Sequence, residues 1–232
     1  MAHEVRQAFQ AELASLEAAT LGGLDLVVDQ LDRVLEALDG QYVELASLVV
    51  QDDDRIDGRY LEVHQGILSL LARQSPVAGD LRLVAALLHV IRGIERMGDQ
   101  CVNIAKLIPL SGYEPPVRRE IIEKLLEMGA IARSETQQAK RAFAERNADL
   151  AEDLVRQDRE ISRLQRDVFQ IAIAVGEDVD TREWATHMVM VARAIERIAD
   201  NAVDVGEQLV FVVTGLFREF SDSSRPPGAL AG

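Results

Sequence analysis

Two short segments of the chain place a glutamate and an aspartate one helical turn apart, with arginines on either side. Glu95 and Asp99 lie in IERMGD, and Glu196 and Asp200 lie in IERIAD, 101 residues further on. In an α-helix, side chains four positions apart lie on the same face. Two such carboxylates can bind one hard cation or bridge two, because these ions prefer several oxygen ligands. A metal site is therefore one interpretation of both segments.

The agreement between the two segments favours a functional face. Residues 92–105 and 193–206 are identical at six of fourteen positions, and four of the six are polar. A single helix of this kind is typical of an ordinary solvated face with weak ion pairs. Two halves of a duplicated unit, however, have no packing reason to keep charged groups in register if they meet only water. We infer that a ligand or a partner protein contacts this face.

Neighbouring polar residues extend both sets. Asn103 and Asp204 follow the aspartates by four positions and are further candidate ligands. Arginine side chains flank both acid pairs, and guanidinium groups bind carboxylates and other anions well. The candidate contacts to an anionic partner are Arg92, Arg96, Arg193 and Arg197.

The sequence lacks the usual catalytic motifs. Di-iron bundle enzymes use Glu-x-x-His pairs, but no histidine here has a glutamate three positions before it. There is also no Gly-rich phosphate loop, zinc-type Cys/His cluster or nucleophile elbow. Cys101 lies in an apolar helix stripe and is predicted to be a small core residue. We expect no catalytic residue; the alternative is a carboxylate-rich helical protein that stores metal or uses it in catalysis.

Composition and charge restrict the class of protein. Only 4% of the residues are aromatic, and the hydrophobic fraction of 48% is large enough for a packed core, which favours helices over sheets. The net charge of −14 repels nucleic acids and anionic lipids, so neither is an expected partner. The apolar runs are shorter than the roughly 20 residues of a membrane span, and the first residues do not resemble a signal peptide. We expect a cytoplasmic protein that does not insert into membranes.

Turn signals divide the chain into two sets of three helices. A DG turn at 39–40 and the pair Ser75–Pro76, an expected N-cap and first helical residue, separate the first three. The linker at 107–116 precedes the second three. We predict an all-α fold of two tandem three-helix units at residues 1–110 and 111–220, followed by a disordered tail at 221–232.

Several segments taken together resemble the PhoU family. QSPVAGDLRLV from Gln74 leads into IERMGDQCVNIA, AIERIADNAVDVGE lies in the second half, and FQAEL with GG at 22–23 lies in the first helix. The resemblance covers residues 5–219 and implies two three-helix bundles of six long helices related by a pseudo-twofold axis. It departs from the family pattern at Ala199, where glycine is usual, and in the tail, which has no counterpart.

The resemblance also implies a function. It indicates a cytoplasmic negative regulator of the phosphate-starvation response that controls phosphate uptake by binding other proteins, without catalysis. The implied partners are the ATPase subunit of the phosphate ABC transporter and a phosphate-sensing histidine kinase. The family's E/D-x-x-x-D motifs imply Mg, Mn, Fe or Zn ions and no organic cofactor, and we expect a homodimer. The motif falls on Glu95 and Asp99 and on Glu196 and Asp200; weaker matches without flanking arginines are Asp25 with Asp29 and Asp149 with Asp153.

Overall fold

The computed structural model describes residues 2–112, 114–115, 118–176 and 178–220, so the predicted tail at 221–232 lies outside the described residues. Within them the chain is all-α, without a strand, as predicted. The helices are α1 (Ala2–Gly40), α2 (Val43–Gln51), α3 (Asp54–Arg73), α4 (Gly79–Leu107), α5 (Arg119–Glu145), α6 (Ala148–Glu152), α7 (Leu154–Ile173) and α8 (Val179–Thr214). A 3-10 turn, Pro109–Ser111, follows α4.

The eight helices form two sets of three helical segments, because the second segment of each set is broken near its start. The first break, between α2 and α3, lies at Asp52 and Asp53, and the second, between α6 and α7, lies at Asp153. Aspartate is a poor residue for a helix interior because its side chain competes for nearby backbone groups. The turn signals therefore predicted the segments, and the breaks are an additional feature.

A glutamine on the neighbouring long helix stabilises each break. Gln30 on α1 donates from Nε2 to a carbonyl oxygen of α2 at 3.3 Å and to Asp53 Oδ1 at 3.1 Å. Gln138 on α5 donates in the same way to a carbonyl oxygen of α6 at 2.9 Å and to Asp153 Oδ2 at 3.3 Å. Carbonyl groups at a helix end lack an intrahelical donor, so a side-chain amide can replace it. The two sets thus share a polar feature as well as an apolar core.

The core positions also repeat with the 101-residue offset. Val63 of α3 corresponds to Leu164 of α7, and Ile94 of α4 corresponds to Ile195 of α8; all four side chains are almost fully buried. These residues belong to helix stripes with apolar side chains at intervals of three and four positions. Cys101 is buried in the stripe of α4, as predicted, and burial raises the pKa of its thiol well above the usual range. The duplicated unit is therefore evident in the packing.

The two sets pack together along two helix pairs, α1 with α5 and α4 with α8. At the first pair, Gly129 of α5 lets Leu35 of α1 approach so closely that an added Cβ would lie 2.3 Å from Leu35 Cδ1. Ion pairs cross the same interface over its whole length. They are Glu17–Arg146 at 2.6 Å, Asp25–Lys140 at 2.7 Å, Asp32–Arg133 at 2.9 Å and Asp39–Arg119 at 2.5 Å.

The start of α4 differs from the prediction. The helix begins at Gly79, so Ser75 and Pro76 precede it in irregular structure, and Ala78 just before the helix has a positive φ of 47°. Asp80 in the first turn of α4 instead accepts hydrogen bonds from Arg6 at 2.6 Å and Gln10 at 3.1 Å, both on α1. Tertiary contacts to α1 therefore accompany the later start. None of the helices in the described ranges is long and apolar enough to span a bilayer.

Candidate functional site: two acidic clusters and two grooves

The polar face of α4 has an acidic edge that lies beside the start of α3. There Glu95 and Asp99 approach Asp53 and Asp57, and we call these four residues the first acidic cluster. Burial, with added repulsion from Asp99 and Asp57, raises the pKa of Glu95 although Arg92 opposes the change. Burial and the charges of Asp57 and Asp99 likewise raise the pKa of Asp53, against the hydrogen bond from Gln30.

Gly98, between the two acids of the motif, allows this approach. An added Cβ at Gly98 would lie 3.0 Å from Ile56 Cδ1 and 3.1 Å from Asp53 Oδ1. A larger residue would therefore push α4 away from the start of α3. In the second half the corresponding residue is Ala199, and the aspartate at the helix break is Asp153. The Gly-to-Ala departure is thus accompanied by the same residue type at the break, which accepts a hydrogen bond from the corresponding glutamine.

The second acidic cluster lies on α8, α7 and α5. It consists of Glu196 and Asp200 of the motif with Asp158 and Glu135. Loss of hydration, followed by repulsion from Asp158 and then Glu196, raises the pKa of Asp200 to about 6. Burial, with repulsion from Asp158 and Asp200, raises the pKa of Glu135 to about 9. The predicted acid pair therefore belongs to a larger group of mutually repelling carboxyls.

Glu135 has the most unusual environment of these carboxyls. Its side chain is 0% exposed, and neither carboxyl oxygen has a hydrogen-bond partner among the described residues. It occupies the apolar stripe of α5, three positions before Gln138. The residue three positions before Gln30 in α1 is Val27, which is also fully buried. The two clusters are therefore related by the duplication but are chemically unequal.

The arginines lie on the other edge of each polar face and line two grooves between α4 and α8. The first groove has a volume of about 530 Å³ and is lined by Arg92 and Arg96 on α4 and by Asp204 on α8. The second has about 470 Å³ and is lined by Arg193 and Arg197 on α8. The linings correspond through the 101-residue offset. In each half the acids of the motif thus lie beside helices of the same half. The arginines lie at the contact between the two halves.

The predicted site residues are partly brought together. Glu95 lies beside Asp99 in the first acidic cluster, and Glu196 lies beside Asp200 in the second. The side chains of Glu95 and Glu196 are 21% and 13% exposed. Both aspartates are exposed. Asn103 and Asp204 lie instead in the second and first groove. Their role as ligands stays a prediction.

The weaker matches have structural partners. Asp25 binds Lys140 across the interface of α1 and α5, and Asp29 lies 3.6 Å from Arg33. Asp153 pairs with Arg156 at 2.7 Å at the break before α7, and Asp149 lies in the first turn of α6. Asp25, Asp29 and Asp153 thus have cationic partners within the chain, and a metal-binding role for the four residues stays a prediction.

Sequence reasoning missed four members of the clusters: Asp53, Asp57, Glu135 and Asp158. The runs QDDD from Gln51 and QDRE from Gln157 are visible in the sequence, but pairing them with the motif helices requires the helix packing. For Glu135 the only available signal is its spacing. It falls within the i, i+3, i+4 series of buried apolar positions in α5.

The donor chemistry of the clusters fits a hard cation, since every candidate ligand is a carboxylate oxygen. Glu95 Oε2 is buried and accepts no hydrogen bond in the described structure, and its cationic neighbour, Arg92 Nε, lies 3.7 Å away, so a bound ion would satisfy it. On the other hand, no three His, Cys, Asp or Glu side chains within the described ranges converge as they would around one metal ion. The ligand types therefore fit, while their present positions do not form a closed site.

Comparisons with known proteins agree with the duplicated architecture. The family model described as PhoU domain matches the chain twice, at residues 23–108 and 125–209. The chain is 28% identical to a phosphate-specific transport system accessory protein PhoU homolog of Clostridium acetobutylicum, over 94% of this chain and 99% of that protein. It is 30% identical to PhoU homolog 1 of Thermotoga maritima, over 89% of each chain.

Solved structures show the same similarity. The phosphate transport system regulatory protein PhoU of Streptococcus pneumoniae aligns with a TM-score of 0.82 and 27% identity, covering 90% of this chain and 99% of that one. PhoU of Pseudomonas aeruginosa aligns with the same TM-score and 26% identity, covering 90% and 100%. The similarity thus extends through both halves of the chain.

Proposed function

Because the chain belongs to the PhoU family, we propose that it is an accessory regulator of phosphate transport that lowers the phosphate-starvation response when phosphate is plentiful. The general part of this proposal, a role in phosphate transport, is supported by the names of the relatives of the chain. The finer part, negative regulation through protein contacts, is supported by the matched polar faces of α4 and α8. It takes place in the cytoplasm and involves no catalysis by the chain.

The observation that carries the proposal is the repetition of the same acidic residues in the two halves of the chain. Glu95 and Glu196, and Asp99 and Asp200, occupy corresponding positions in the two acidic clusters. Burial first, and then repulsion from neighbouring carboxyls, raises the pKa of Glu95 and Asp200. Such an arrangement costs folding free energy unless a ligand compensates it. A duplicated fold that keeps it twice is best explained by use of the clusters in binding.

Two partner proteins fit this proposal: the ATPase subunit of the phosphate ABC transporter and the phosphate-sensing histidine kinase. A chain with a net charge of −14 is repelled by anionic lipid, so contact with a membrane transporter runs through its cytoplasmic part. We also propose that the chain forms a homodimer.

We also propose that each acidic cluster holds a divalent or iron cation. Glu95, Asp99, Glu196 and Asp200 would provide the carboxylate ligands, and the ion would offset their mutual repulsion. The buried oxygen of Glu95 that accepts no hydrogen bond supports this proposal. The ion would supply positive charge that holds the cluster side chains in one arrangement, and the chain's own residues would present that surface to the partner.

The test is a reporter gene under a phosphate-starvation promoter, in a strain that lacks the chain. Wild type should repress the reporter in phosphate-rich medium, and a variant with alanine in place of Glu95, Asp99, Glu196 and Asp200 should not. Removal of repelling carboxyls should leave the fold intact, which circular dichroism can verify.

The matched control also loses four acids, all of them exposed and outside the clusters: Glu36, Glu127, Glu145 and Glu152. It should repress as wild type does. Full repression by the cluster variant would contradict the proposal, and so would equal loss of repression in the control.

A further inference from the structure

We propose that the second groove is the docking site for an acidic segment of a partner protein, and that the first groove is not. The proposal rests on the proposed function, because it gives the same partner protein a second contact surface in addition to the acidic clusters. It is supported by the charge of the groove, by the contrast with the first groove and by the apolar residues at its rim.

The second groove is a basic concavity on an acidic protein. It is lined by the side chains of Arg193 and Arg197 on α8 and Lys106 on α4, and no acidic residue is among its described lining residues. Gln100 and Asn103 line the same groove. A groove with this lining attracts carboxylates strongly, and its low-dielectric walls strengthen the effect. The net charge of the whole chain, −14, is of opposite sign.

Two of the three cations have no charged partner in the described structure. Arg193 is paired with Glu196 of its own helix. Arg197 and Lys106 make no ion pair or side-chain hydrogen bond with any described residue, whereas Arg33, Arg133 and Arg146 each do. Their charges are therefore available to a carboxylate from another molecule.

The first groove differs from the second because its lining includes acidic residues. Its arginines, Arg92 and Arg96, face Asp204, Glu207 and Glu219. Through the 101-residue offset, Asp204 and Glu207 correspond to Asn103 and Lys106 of the second groove. One acid of the first groove is thus matched by an amide in the second, and another acid by a lysine. Acidic residues therefore offset the charge of the arginines in the lining of the first groove only.

The segment that follows α8 also forms part of the lining of the first groove. The segment after α8 turns at Gly215, whose φ is 76°, and the Phe220 amide donates to Glu207 Oε1 at 2.6 Å. Phe217 and Glu219 of this segment line the groove. An aromatic and an acidic residue of this segment thus lie along one inter-repeat groove. They indicate that a segment with an apolar and an acidic side chain suits the second groove.

The rim of the second groove favours a protein segment over a small anion. Met190 and Leu110 line it and are 53% and 62% exposed. Methionine and arginine are both enriched at protein interfaces relative to the rest of a protein surface. A site for a small anion would be expected to enclose it with buried donors, whereas the side chain of Arg193 is 56% exposed. The occupant we infer has an acidic side chain next to an apolar one.

The experiment measures binding of the purified ATPase subunit of the phosphate transporter to the full chain and to two charge reversals. Arg197→Glu reverses a charge in the second groove. Arg96→Glu makes the same reversal at the corresponding position of the first groove, so that the pair of variants compares the two grooves. We expect Arg197→Glu to weaken binding at least about tenfold and Arg96→Glu to weaken it less than about twofold. Circular dichroism verifies both folds, and Lys106→Glu serves as a second variant if Arg197→Glu does not fold.

The outcomes separate this inference from the function on which it rests. If wild type does not bind the ATPase subunit, the proposed contact and the docking site are both wrong. If wild type binds and both reversals bind equally well or equally poorly, the contact stands and the second groove is not its site. Loss of a dimer in Arg197→Glu by sedimentation, without loss of partner binding, would assign the groove to a second copy and overturn the proposal. Calorimetric binding of inorganic phosphate to wild type but not to Arg197→Glu, with partner binding unchanged, would overturn it in favour of a small anion.

Discussion

Replacement of Glu135 by glutamine should change how the stability of the protein depends on pH. In the folded protein the carboxyl is fully buried without a hydrogen-bond partner among the described residues, and its pKa is raised from 4.5 to about 9. The unfolded chain ionises near the ordinary value, so between these two pKa values the folded state holds one more proton. Stability therefore falls as pH rises through this window. Glutamine does not ionise, and the variant lacks this contribution.

The size of the effect follows from the two pKa values. Within the window, each pH unit lowers the free energy of unfolding of wild type by about 1.4 kcal/mol relative to the variant. Between about pH 5.5 and about pH 8 the accumulated change is therefore about 3 kcal/mol. The amide has a similar shape and, like the neutral acid, would lack hydrogen-bond partners. The constant difference between the two proteins is thus expected to be smaller than the part that depends on pH.

Urea unfolding of both proteins at the two pH values, in buffer with chelator, measures this change. The control Glu127→Gln removes an exposed carboxyl from the same helix and should differ from wild type equally at both pH values. A difference between wild type and Glu135→Gln that does not grow with pH would refute the assignment of a neutral buried acid at this position. It would mean that Glu135 is ionised and compensated in the folded protein.

Three further predictions follow from the packing and the clusters. Gly129→Ala should lower the free energy of unfolding by about 1–3 kcal/mol, measured in urea, because the new Cβ overlaps Leu35; unchanged stability would show that the helices α1 and α5 can move apart freely. Glu207→Ala should speed limited proteolysis of the segment at 215–220, since the acceptor of the Phe220 amide is lost; an unchanged cleavage rate would mean that this hydrogen bond does not hold the segment. Added Mn²⁺ should raise the melting temperature of wild type more than that of Glu95→Ala, through preferential binding to the folded state, and equal shifts would argue against a cation in the first acidic cluster.

The repeated motif and the helix pattern could be predicted because both are local in the sequence. IERMGD and IERIAD place their acids on one helix face by spacing alone, and the apolar stripes predict which side of α4 and α8 is buried. The start of α4 could not be predicted in this way, since Asp80 contacts Arg6 and Gln10 from a helix about seventy residues earlier. Tertiary contacts of this kind override a local capping signal.

The composition of the site depended still more on packing. The spacing of α5 places Glu135 among apolar residues, but only the arrangement of α5, α7 and α8 brings it near Asp158 and Asp200. In the same way, the sequence shows four arginines in register, and only the packing of α4 on α8 divides them between two grooves. The excess positive charge of the second groove depends on Lys106, which no motif identifies.

The most direct test of the account is the rate of phosphate uptake after starved cells are returned to phosphate-rich medium. Uptake of labelled phosphate should fall in cells with the wild-type chain and stay high in cells that lack it or carry the alanine variant of Glu95, Asp99, Glu196 and Asp200. Uptake that falls equally fast in all three strains would contradict the claim that this chain, through its acidic clusters, regulates phosphate transport.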